Sequence, residues 1–321
     1  MRPWIASTWQ RVQQDLSSPR IPHAWCLTGT WGLGLALLTE QLVARLLCAD
    51  VQEGRACGDC QSCRFLAQGA HPDRLRLTAE GAAGRIRIDA VREAIELAYS
   101  TSTLGQGRVI EVSPADALNP EASNALLKVV EEPPSGTRFV FSTALPGALL
   151  PTLRSRLRQI AMAPASLEMI QAEGQRLGLT EAQLMRGTWL LDEPFAGIED
   201  PDRYQDADSV MLTLQEIATG LDPQIGANRC KALDPLTVLT VMMRVVEACI
   251  QVQVEPQRSV LRLGPIPFAA PFPEPTGLFQ LLDRIQAQRL PTARGIAHMA
   301  LPGYGSLFAV WSHLWTKGRV R

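Results

Sequence analysis

Residues 25–36 read WCLTGTWGLGLA, a short apolar run that leads into a glycine-rich turn. The first four residues predict a buried strand, and the last two begin a helix that is expected to extend to about Cys48. Two further runs rich in β-forming residues, 108–112 and 138–142, predict strands on either side of another helix. This alternation of strands and helices is typical of a parallel sheet covered by helices, so the first half of the chain is predicted to be α/β.

Two of the predicted helices have recognisable ends. One is expected to start at Asn119-Pro120 and to end before Pro133-Pro134, because proline is favoured in a first helical turn and disfavoured further along. Asp89 is expected to cap the N-terminus of the other helix. The apolar stripe of that helix contains three residues at the i, i+4, i+7 spacing: Val91, Ile95 and Ala98.

The second half of the chain has a helical pattern. Ser166 and Thr180 are each expected to cap a short helix, and no convincing strand follows either of them. The proline-rich segment 264–275 is expected to be an exposed loop. A C-terminal helical stripe contains Leu307, Val310, Trp311, Leu314 and Trp315. The predicted fold class is therefore α/β followed by all-α, with domains at 1–163, 164–205 and 206–321.

The composition excludes several classes of protein. Of the 321 residues, 46% are hydrophobic and 20% are charged, which is too apolar for a disordered chain. Lys and Arg number 31 against 32 Asp and Glu, for a formal net charge of -1. The chain therefore has no overall positive field that would attract it to nucleic acid or to an anionic membrane.

The sequence also predicts a cytoplasmic location. Asp15 appears before any apolar run long enough for a signal peptide, so secretion is not expected. The stretch 295–316 has no Asp, Glu, Lys or Arg and is long enough to cross a bilayer, but Pro302–Ser306 is expected to break it. We therefore expect no membrane span and a reducing compartment, in which cysteines are metal ligands or buried thiols.

Four of the seven cysteines have the spacing of a metal site. Cys48, Cys57, Cys60 and Cys63 follow the pattern C-x8-C-x2-C-x2-C, with glycines between them for the turns. Four thiolates complete a closed, tetrahedral structural zinc site, so the spacing predicts Zn²⁺ that stabilises the fold and does no catalysis. Thiols at chance spacing remain the alternative. The other cysteines, which lack a partner spacing, are expected to be structural: Cys26, Cys230 and Cys249.

The glycine-rich turn lies where a Walker A loop, the phosphate-binding loop of ATPases, lies between strand and helix. Its glycines are Gly29, Gly32 and Gly34, but Leu35 and Ala36 replace the Lys and Ser/Thr of that motif. A Lys about 4 Å from a phosphate charge contributes about 4 kcal/mol at an effective dielectric of about 20. We therefore expect no functional ATP site. The sequence leaves open whether the glycine amides still bind an anion or apolar side chains fill the space.

The end of the predicted strand 108–112 lacks the acidic pair that holds magnesium in ATPases. Counted back from residues 124–128, NALLK, the two positions fall on Ser113 and Pro114, neither of which provides a carboxylate. Glu111 and Asp116 are the nearest acidic residues, and ordinary polar roles are expected for both. The missing Walker A residues and the missing acidic pair each predict a nucleotide-binding architecture that does not hydrolyse nucleotide.

Three motifs carry a resemblance to a known family. They are the four-cysteine insert, residues 124–128 (NALLK) running into 131–134 (EEPP), and residues 153–156 (LRSR). Together they resemble the AAA+ subunits of bacterial DNA polymerase III clamp loaders, in particular the delta-prime family. The motifs cover about the first half of the chain.

The resemblance implies a fold and a set of partners. It implies a RecA-like AAA+ domain at 1–163, a small helical lid at 164–205 and a helical collar at 206–321. The hydrolysing subunits of the family keep the Walker residues that this chain lacks, so the resemblance implies a subunit that is not itself an enzyme. Its implied partners are ATP-hydrolysing gamma/tau-type subunits and delta, with the sliding clamp and primed DNA contacted through the complex.

The same resemblance implies one catalytic residue. In clamp loaders a Ser-Arg-Cys motif presents an arginine to the ATP of the neighbouring subunit, and the matching residues here are Ser155, Arg156 and Leu157. Arg156 is thus implied to be an arginine finger that acts in trans, a role suited to a permanently charged, forked guanidinium. The alternative is a solvated or intramolecularly paired arginine, the class expected for Arg154 and Arg158.

Two other functions stay open. An ATP-hydrolysing clamp-loader subunit would need Lys and acidic residues where Leu35, Ser113 and Pro114 stand. A zinc-dependent nucleic-acid-binding protein would need a basic patch, whereas the cysteine insert carries both Arg and acidic residues.

Overall fold

The computed structural model describes residues 2–79, 85–191, 193–199, 202–254, 272–293 and 301–318. The chain forms two compact units, Met1–Met169 and Ile170–Arg321.

The first unit is built around a five-stranded sheet. The strands of the unit, including a two-stranded hairpin inserted after the second helix, are β1 (Ala24–Thr28), β2 (Val51–Gln52), β3 (Arg55–Ala56), β4 (Arg74–Leu77), β5 (Arg108–Val112), β6 (Thr137–Thr143) and β7 (Arg158–Ala161). The sheet has the order β4-β5-β6-β1-β7, and all its pairs are parallel. Cys26 of β1 lies opposite Phe141 of β6 and Gln159 of β7. The strand that precedes the glycine turn is therefore inside the sheet.

Helices cover both faces of this sheet. The helices of the unit are α1 (Pro3–Leu16), α2 (Leu35–Leu47), α3 (Gln61–Ala67), α4 (Ile88–Tyr99), α5 (Pro120–Glu131), α6 (Pro151–Arg154) and the first residues of α7 (Leu167–Arg176). Successive side chains of β5 point to opposite faces. Ile110 and Val112 are buried in one hydrophobic core with residues of α4 and α5, whereas Glu111 contacts α2 through an ion-pair network. These elements confirm the predicted parallel α/β fold.

The predicted helix ends are largely confirmed, with one correction. Asn119 caps α5, its side chain accepting a hydrogen bond from the Ala122 amide at 2.7 Å. Asp89 is not an N-cap as predicted: α4 begins at Ile88, after an extended Arg87, and Asp89 lies in the first turn, where a carboxylate interacts favourably with the helix dipole. The buried residues of α4 are Val91, Ala94 and Ala98, and Ile95 is half-buried.

The second unit is helical among its described residues. Its helices are the rest of α7, α8 (Glu181–Arg186), α9 (Ala196–Glu199), α10 (Asp202–Thr219), α11 (Pro223–Arg229), α12 (Pro235–Val254), α13 (Pro275–Ala293) and α14 (Leu301–Gly318), with a π-helical turn at Gly187–Leu191. The predicted caps hold: the Met169 amide donates to Ser166 Oγ at 3.3 Å, and Thr180 forms a capping box with Gln183.

The core of the second unit contains the predicted C-terminal stripe. Leu307, Trp311 and Trp315 are buried, and Val310 and Leu314 pack against them. The same core also includes Leu190, Leu191 and Val238, on both sides of residue 205. The division into lid and collar at residue 205 and the boundary at residue 163 remain predictions.

Two predictions concern the proline-containing segments. Residues 302–306 do not break a helix as predicted: α14 runs through them, because Pro302 lies in its first turn, where a missing N–H costs nothing. Most of the predicted loop at 264–275 lies outside the described residues; 272–274 are not helical and Pro275 begins α13.

One helix among the described residues, α12, is long and apolar enough to cross a membrane. Most of it (67% of the relevant window) is buried within the protein, as in the core helix of a globular unit.

Candidate functional site

The four cysteines of the insert converge on one point. The Sγ atom of Cys48 lies 3.6 Å from that of Cys57, 3.9 Å from that of Cys60 and 3.8 Å from that of Cys63. All four Sγ atoms lie within 4.8 Å of one another. Tetrahedral zinc with bonds of about 2.3 Å places its sulfur ligands about 3.8 Å apart. The donor set and its spacing therefore fit a structural zinc ion.

Local backbone geometry brings these sulfurs together. Glu53 and Gly54 both have positive φ angles, 49° and 76°, and form the two-residue turn of the hairpin between β2 and β3. Gly58 has φ 85°, a conformation that a side chain would disfavour, and reverses the chain between Cys57 and Cys60. The insert thus has residues in turn conformations at the points where the chain must reverse to bring its cysteines together.

Backbone amides support the thiolate form of the ligands. The N–H of Cys57 donates to Cys48 Sγ at 3.3 Å, that of Cys60 to Cys57 Sγ at 3.3 Å, and that of Cys63 to Cys60 Sγ at 3.4 Å. Burial opposes ionisation of Cys60, but hydrogen bonds from the backbone of Cys63 and Ala49 and with the side chains of Cys63 and Cys57 outweigh it and lower its pKa to about 6. Burial raises the pKa of Cys63 to about 12. A divalent cation would supply the charge that lets all four thiols ionise together.

A buried polar chain connects the cysteine insert to the sheet. His71 Nδ1 accepts a hydrogen bond from the Asp73 amide at 3.0 Å, and His71 Nε2 lies 3.1 Å from Ser62 Oγ. Burial lowers the pKa of His71, which favours the neutral ring. Because Nδ1 is an acceptor, the neutral ring carries its proton on Nε2 and donates it to Ser62. This histidine therefore has no lone pair directed at the serine, and the chain is a structural connection rather than a nucleophile with its base.

The glycine-rich turn is closed by its own backbone. The amides of Gly29, Leu33 and Gly34 donate to the carbonyls of Thr143, Thr30 and Trp31 at 3.3, 3.2 and 2.9 Å. Phosphate-binding loops instead direct such amides at the ligand. Two of the three glycine amides that could hold an anion are thus already hydrogen-bonded within the protein.

Helix α1 packs directly against this turn. Trp4 Nε1 donates to the Leu33 carbonyl at 2.7 Å, and a Cβ placed on Gly34 would lie 2.7 Å from Ile5 Cδ1. Gly34 has φ 105°, a conformation that favours glycine, and a side chain here would also have to displace the end of Ile5. Leu35, at the position of the Walker lysine, is fully buried. Apolar side chains therefore lie on both sides of the turn.

The carboxyl ends of β5 and β6 are linked by hydroxyl groups. Ser142 Oγ donates to Ser113 Oγ at 2.8 Å, and Thr143 Oγ1 donates to Asp116 Oδ1 at 2.6 Å. Ser113 and Pro114 directly follow the end of β5, and neither carries a carboxylate. Asp116 is engaged by Thr143, which agrees with the ordinary polar role predicted for it.

The other nearby acidic residue, Glu111, belongs to a four-residue ion network. Its Oε2 accepts from Arg74 Nε and Nη2 at 3.0 and 2.5 Å, and its Oε1 lies 3.0 Å from Arg76 Nε. Both arginines also pair with Glu40 of α2. The Glu111 side chain is only 2% exposed. This carboxylate joins β4, β5 and α2 and is not directed toward a ligand.

Arg156, the predicted arginine finger, lies in the turn between α6 and β7. Its Nε donates to Glu131 at the end of α5, and its Nη1 donates to the Thr152 carbonyl at 2.7 Å and to Ser155 Oγ at 3.3 Å. The side chain is 39% exposed. Arg156 is thus both paired within the chain and accessible from outside it.

The residues around Arg156 are arranged differently. Arg158 forms a two-point ion pair with Asp15, at 2.7 and 2.9 Å, as the intramolecular alternative predicted. Leu157, where the family motif has cysteine, is buried with Leu153 in the core of the first unit. The apolar replacement therefore anchors the turn that carries Arg156.

The sequence does not indicate the contacts that several residues of these sites make. Glu131 was visible only as part of an acidic motif, and the partners of Glu111 lie on a strand whose pattern, Arg-Leu-Arg-Leu, is short. The connection from Ser62 through His71 depends on spatial proximity. The proline after His71 is a turn signal but says nothing of these contacts.

The first unit has the architecture of an AAA+ domain. Counted along the chain, the sheet strands have the order 2-3-4-1-5, with a glycine-rich turn and helix after the first of them. Residues 5–166 match the family model described as DNA polymerase III, delta subunit, and the chain belongs to this family. The resemblance found in the sequence motifs is confirmed.

The chain is similar to curated relatives over about half its length. It is 38% identical to DNA polymerase III subunit delta' of Pseudomonas aeruginosa over 172 residues, 52% of each protein. It is 36% identical to subunit delta' of Escherichia coli over 162 residues, 50% of this chain and 48% of that relative. The chain therefore spans about half the length of these relatives.

The chain is also similar to proteins named as other subunits of DNA polymerase III. Subunit tau of Escherichia coli is 29% identical over 241 residues, 74% of this chain and 36% of that protein. A solved structure of a DNA polymerase III gamma subunit-related protein from Thermotoga maritima covers 96% of this chain at 16% identity, with a TM-score of 0.49.

Proposed function

We propose that this chain is a non-hydrolysing AAA+ subunit of a bacterial DNA polymerase III clamp loader, in the delta-prime position. The observation that carries this proposal is the closed glycine turn, with Leu35 buried and the turn amides donating to the protein's own carbonyls. In a family of clamp-loader subunits, such a turn supports a role in assembly and positioning rather than in turnover. The chain is then not itself an enzyme.

The proposed partners follow from the names of the relatives. They are named delta', tau and gamma/tau subunits of DNA polymerase III, which supports a hetero-oligomer with ATP-hydrolysing gamma/tau-type subunits and delta. Through that complex the chain would help to open the sliding clamp and to place it on primed DNA. The helical second unit would supply the collar contacts between subunits, and the assembly would work in the cytoplasm.

Arg156 is the residue through which this subunit would act on ATP. Its guanidinium is exposed enough to meet a phosphate from another subunit, and its turn is anchored by Leu153 and Leu157. An arginine supplied in trans stabilises charge that develops in the transition state, an effect of about 10³- to 10⁵-fold at the site it serves. We propose that Arg156 completes the ATP site of a gamma/tau-type neighbour.

Zinc would have a structural role in this subunit. Cys48, Cys57, Cys60 and Cys63 supply four sulfur ligands, a complete tetrahedral set that leaves no position for a substrate. The ion would hold the hairpin β2–β3 against α3.

The test is reconstitution of the clamp loader with Arg156→Ala. We expect assembly to be unchanged and the ATPase stimulated by clamp and primed DNA to fall several-fold, because one site loses its finger. Arg158→Ala, which removes a neighbouring paired arginine, is the matched control and is expected to leave the rate unchanged. Unchanged ATPase in the Arg156 variant would remove the trans role, and ATP turnover by the repurified chain alone would overturn the non-hydrolysing assignment.

A further inference from the structure

The pairing of Arg156 leaves one end of its guanidinium available. Nε donates to Glu131 and Nη1 donates to the Thr152 carbonyl and Ser155 Oγ, whereas Nη2 makes no hydrogen bond to any described residue. These three contacts fix the plane of the guanidinium. The remaining nitrogen is free to donate to a group that arrives from outside.

The position of Glu131 is unfavourable for its own helix. It is the last residue of α5, where the carboxyl end of the helix dipole repels a negative charge. Glu132 follows it and adds a second carboxylate at the same end. Removing either charge should therefore not weaken α5, so a loss of function in a Glu131 variant would not come from a loss of helix stability.

The two neighbouring carboxylates differ in their contacts. Glu131 pairs with Arg156 across 25 residues of sequence, whereas the Glu132 side chain makes no hydrogen bond within the described part of the chain. Both side chains are exposed. Charge near the finger is therefore supplied by two residues, and only one of them holds the guanidinium.

We propose that Glu131 is a positioning residue for Arg156: it holds Nε so that Nη2 is presented to the phosphate of the neighbouring subunit. This inference rests on the proposed function of Arg156 in trans. Glu131 does not touch the nucleotide in this arrangement, and it acts by restricting the orientations of a long, half-exposed side chain. Misplacement of a catalytic group by about 1 Å can cost up to about 100-fold in rate.

The experiment uses the reconstituted clamp loader and compares Glu131→Ala, Glu131→Gln and the control Glu132→Ala. We expect Glu131→Ala to lower kcat of the clamp- and DNA-stimulated ATPase at least about twofold and by no more than Arg156→Ala does, with little change in KM for ATP. Glu131→Gln keeps an oxygen acceptor for Nε and should recover most of the rate. Glu132→Ala should leave it unchanged.

A double variant separates positioning from other roles. In the Arg156→Ala background, Glu131→Ala should have no further effect, because there is no guanidinium left to orient. An equal loss in that background, or a full rate for Glu131→Ala beside a slow Arg156→Ala, would overturn the positioning role while the finger role stands. If Arg156→Ala itself has no effect, the proposed function of Arg156 fails and the inference fails with it.

Discussion

Arg74 donates two hydrogen bonds, from Nε at 3.0 Å and from Nη2 at 2.5 Å, to the same carboxylate oxygen of Glu111. Both side chains are nearly removed from water, with 10% and 2% exposed. Glu111 lies in the middle of β5. Because its side chain is buried, the arginines of the edge strand β4 balance its charge, and water does not. Glu111, one of the acidic residues nearest to the missing magnesium-binding pair, thus joins the sheet to α2.

Glu111→Gln should strongly destabilise the first unit. The substitution removes a buried charge and leaves Arg74 with only the half-exposed Glu40 as an ion-pair partner, and breaking a buried pair of this kind costs up to about 3 kcal/mol. Hydrogen exchange of β5 and β6 amides, followed as a function of urea, would measure the loss in this unit separately from the other. Arg92→Ala, which breaks the exposed pair with Asp89, is the control and should cost less than about 0.5 kcal/mol. A similar small cost for both variants would show that the network contributes no more than a surface pair.

Cys60→Ser should abolish stoichiometric zinc binding. The purified chain is expected to carry zinc in equimolar amount, and loss of one of four thiolates should weaken binding by more than about 100-fold. Elemental analysis after dialysis measures the content, and hydrogen exchange of β2, β3 and α3 measures the loss of structure. Cys249→Ala, which changes a buried core thiol far from the cluster in sequence, should retain its zinc. Equal zinc content in both variants would contradict the four-cysteine site.

Added magnesium and ATP should not stabilise the isolated chain. A ligand at about 100 times its Kd raises the free energy of unfolding by about 2.7 kcal/mol, which for units of this size corresponds to several degrees in Tm. With the turn amides engaged and Leu35 buried, we expect no change in Tm in a thermal shift assay. A gamma/tau-type subunit assayed beside it is the positive control. A clear upward shift for this chain would show that the glycine turn still binds nucleotide.

Local patterns in the sequence were enough to predict the centre of the fold. β1, β5 and β6 are buried and rich in β-branched and aromatic residues, which made them recognisable as strands, and α5 carries its own cap in Asn119. The four cysteines were found because they are close in sequence as well as in space. These features depend on interactions between residues near one another along the chain.

The remaining features depend on contacts that the sequence does not encode locally. Strand β4 is an edge strand of four residues with alternating Arg and Leu, too short for its pattern to be decisive. The contact of Trp4 with Leu33 closes the glycine turn across 29 residues, and no local signal indicates which helix packs there. Pro302 was predicted to break a helix, but its position within the helix, at the start of α14, decides its effect.

Asp73→Asn should reduce stability at neutral pH and abolish one contribution to its pH dependence. Asp73 is buried and accepts hydrogen bonds from the amides of Thr103 and Leu104, at 2.6 and 2.8 Å, and from Ser102 Oγ at 3.1 Å. Burial opposes ionisation, but these donors lower the pKa of Asp73 below its ordinary value of 3.8. The charged form is therefore more favourable in the folded chain than in the unfolded chain.

The sign of this effect fixes the experiment. A lowered pKa contributes its full stability above the unfolded value, about pH 4, and the contribution is lost as the pH falls through the folded pKa. The difference in unfolding free energy between the parent chain and Asp73→Asn should be largest at pH 7 and should shrink below about pH 4. Urea unfolding at a series of pH values measures it, with Glu96→Gln, which removes an exposed carboxylate of α4, as the control. If acid released a metal ion from the cysteine cluster, parent and variant would lose it alike and the effect would cancel in the difference. A difference that is constant with pH would contradict the assigned ionisation.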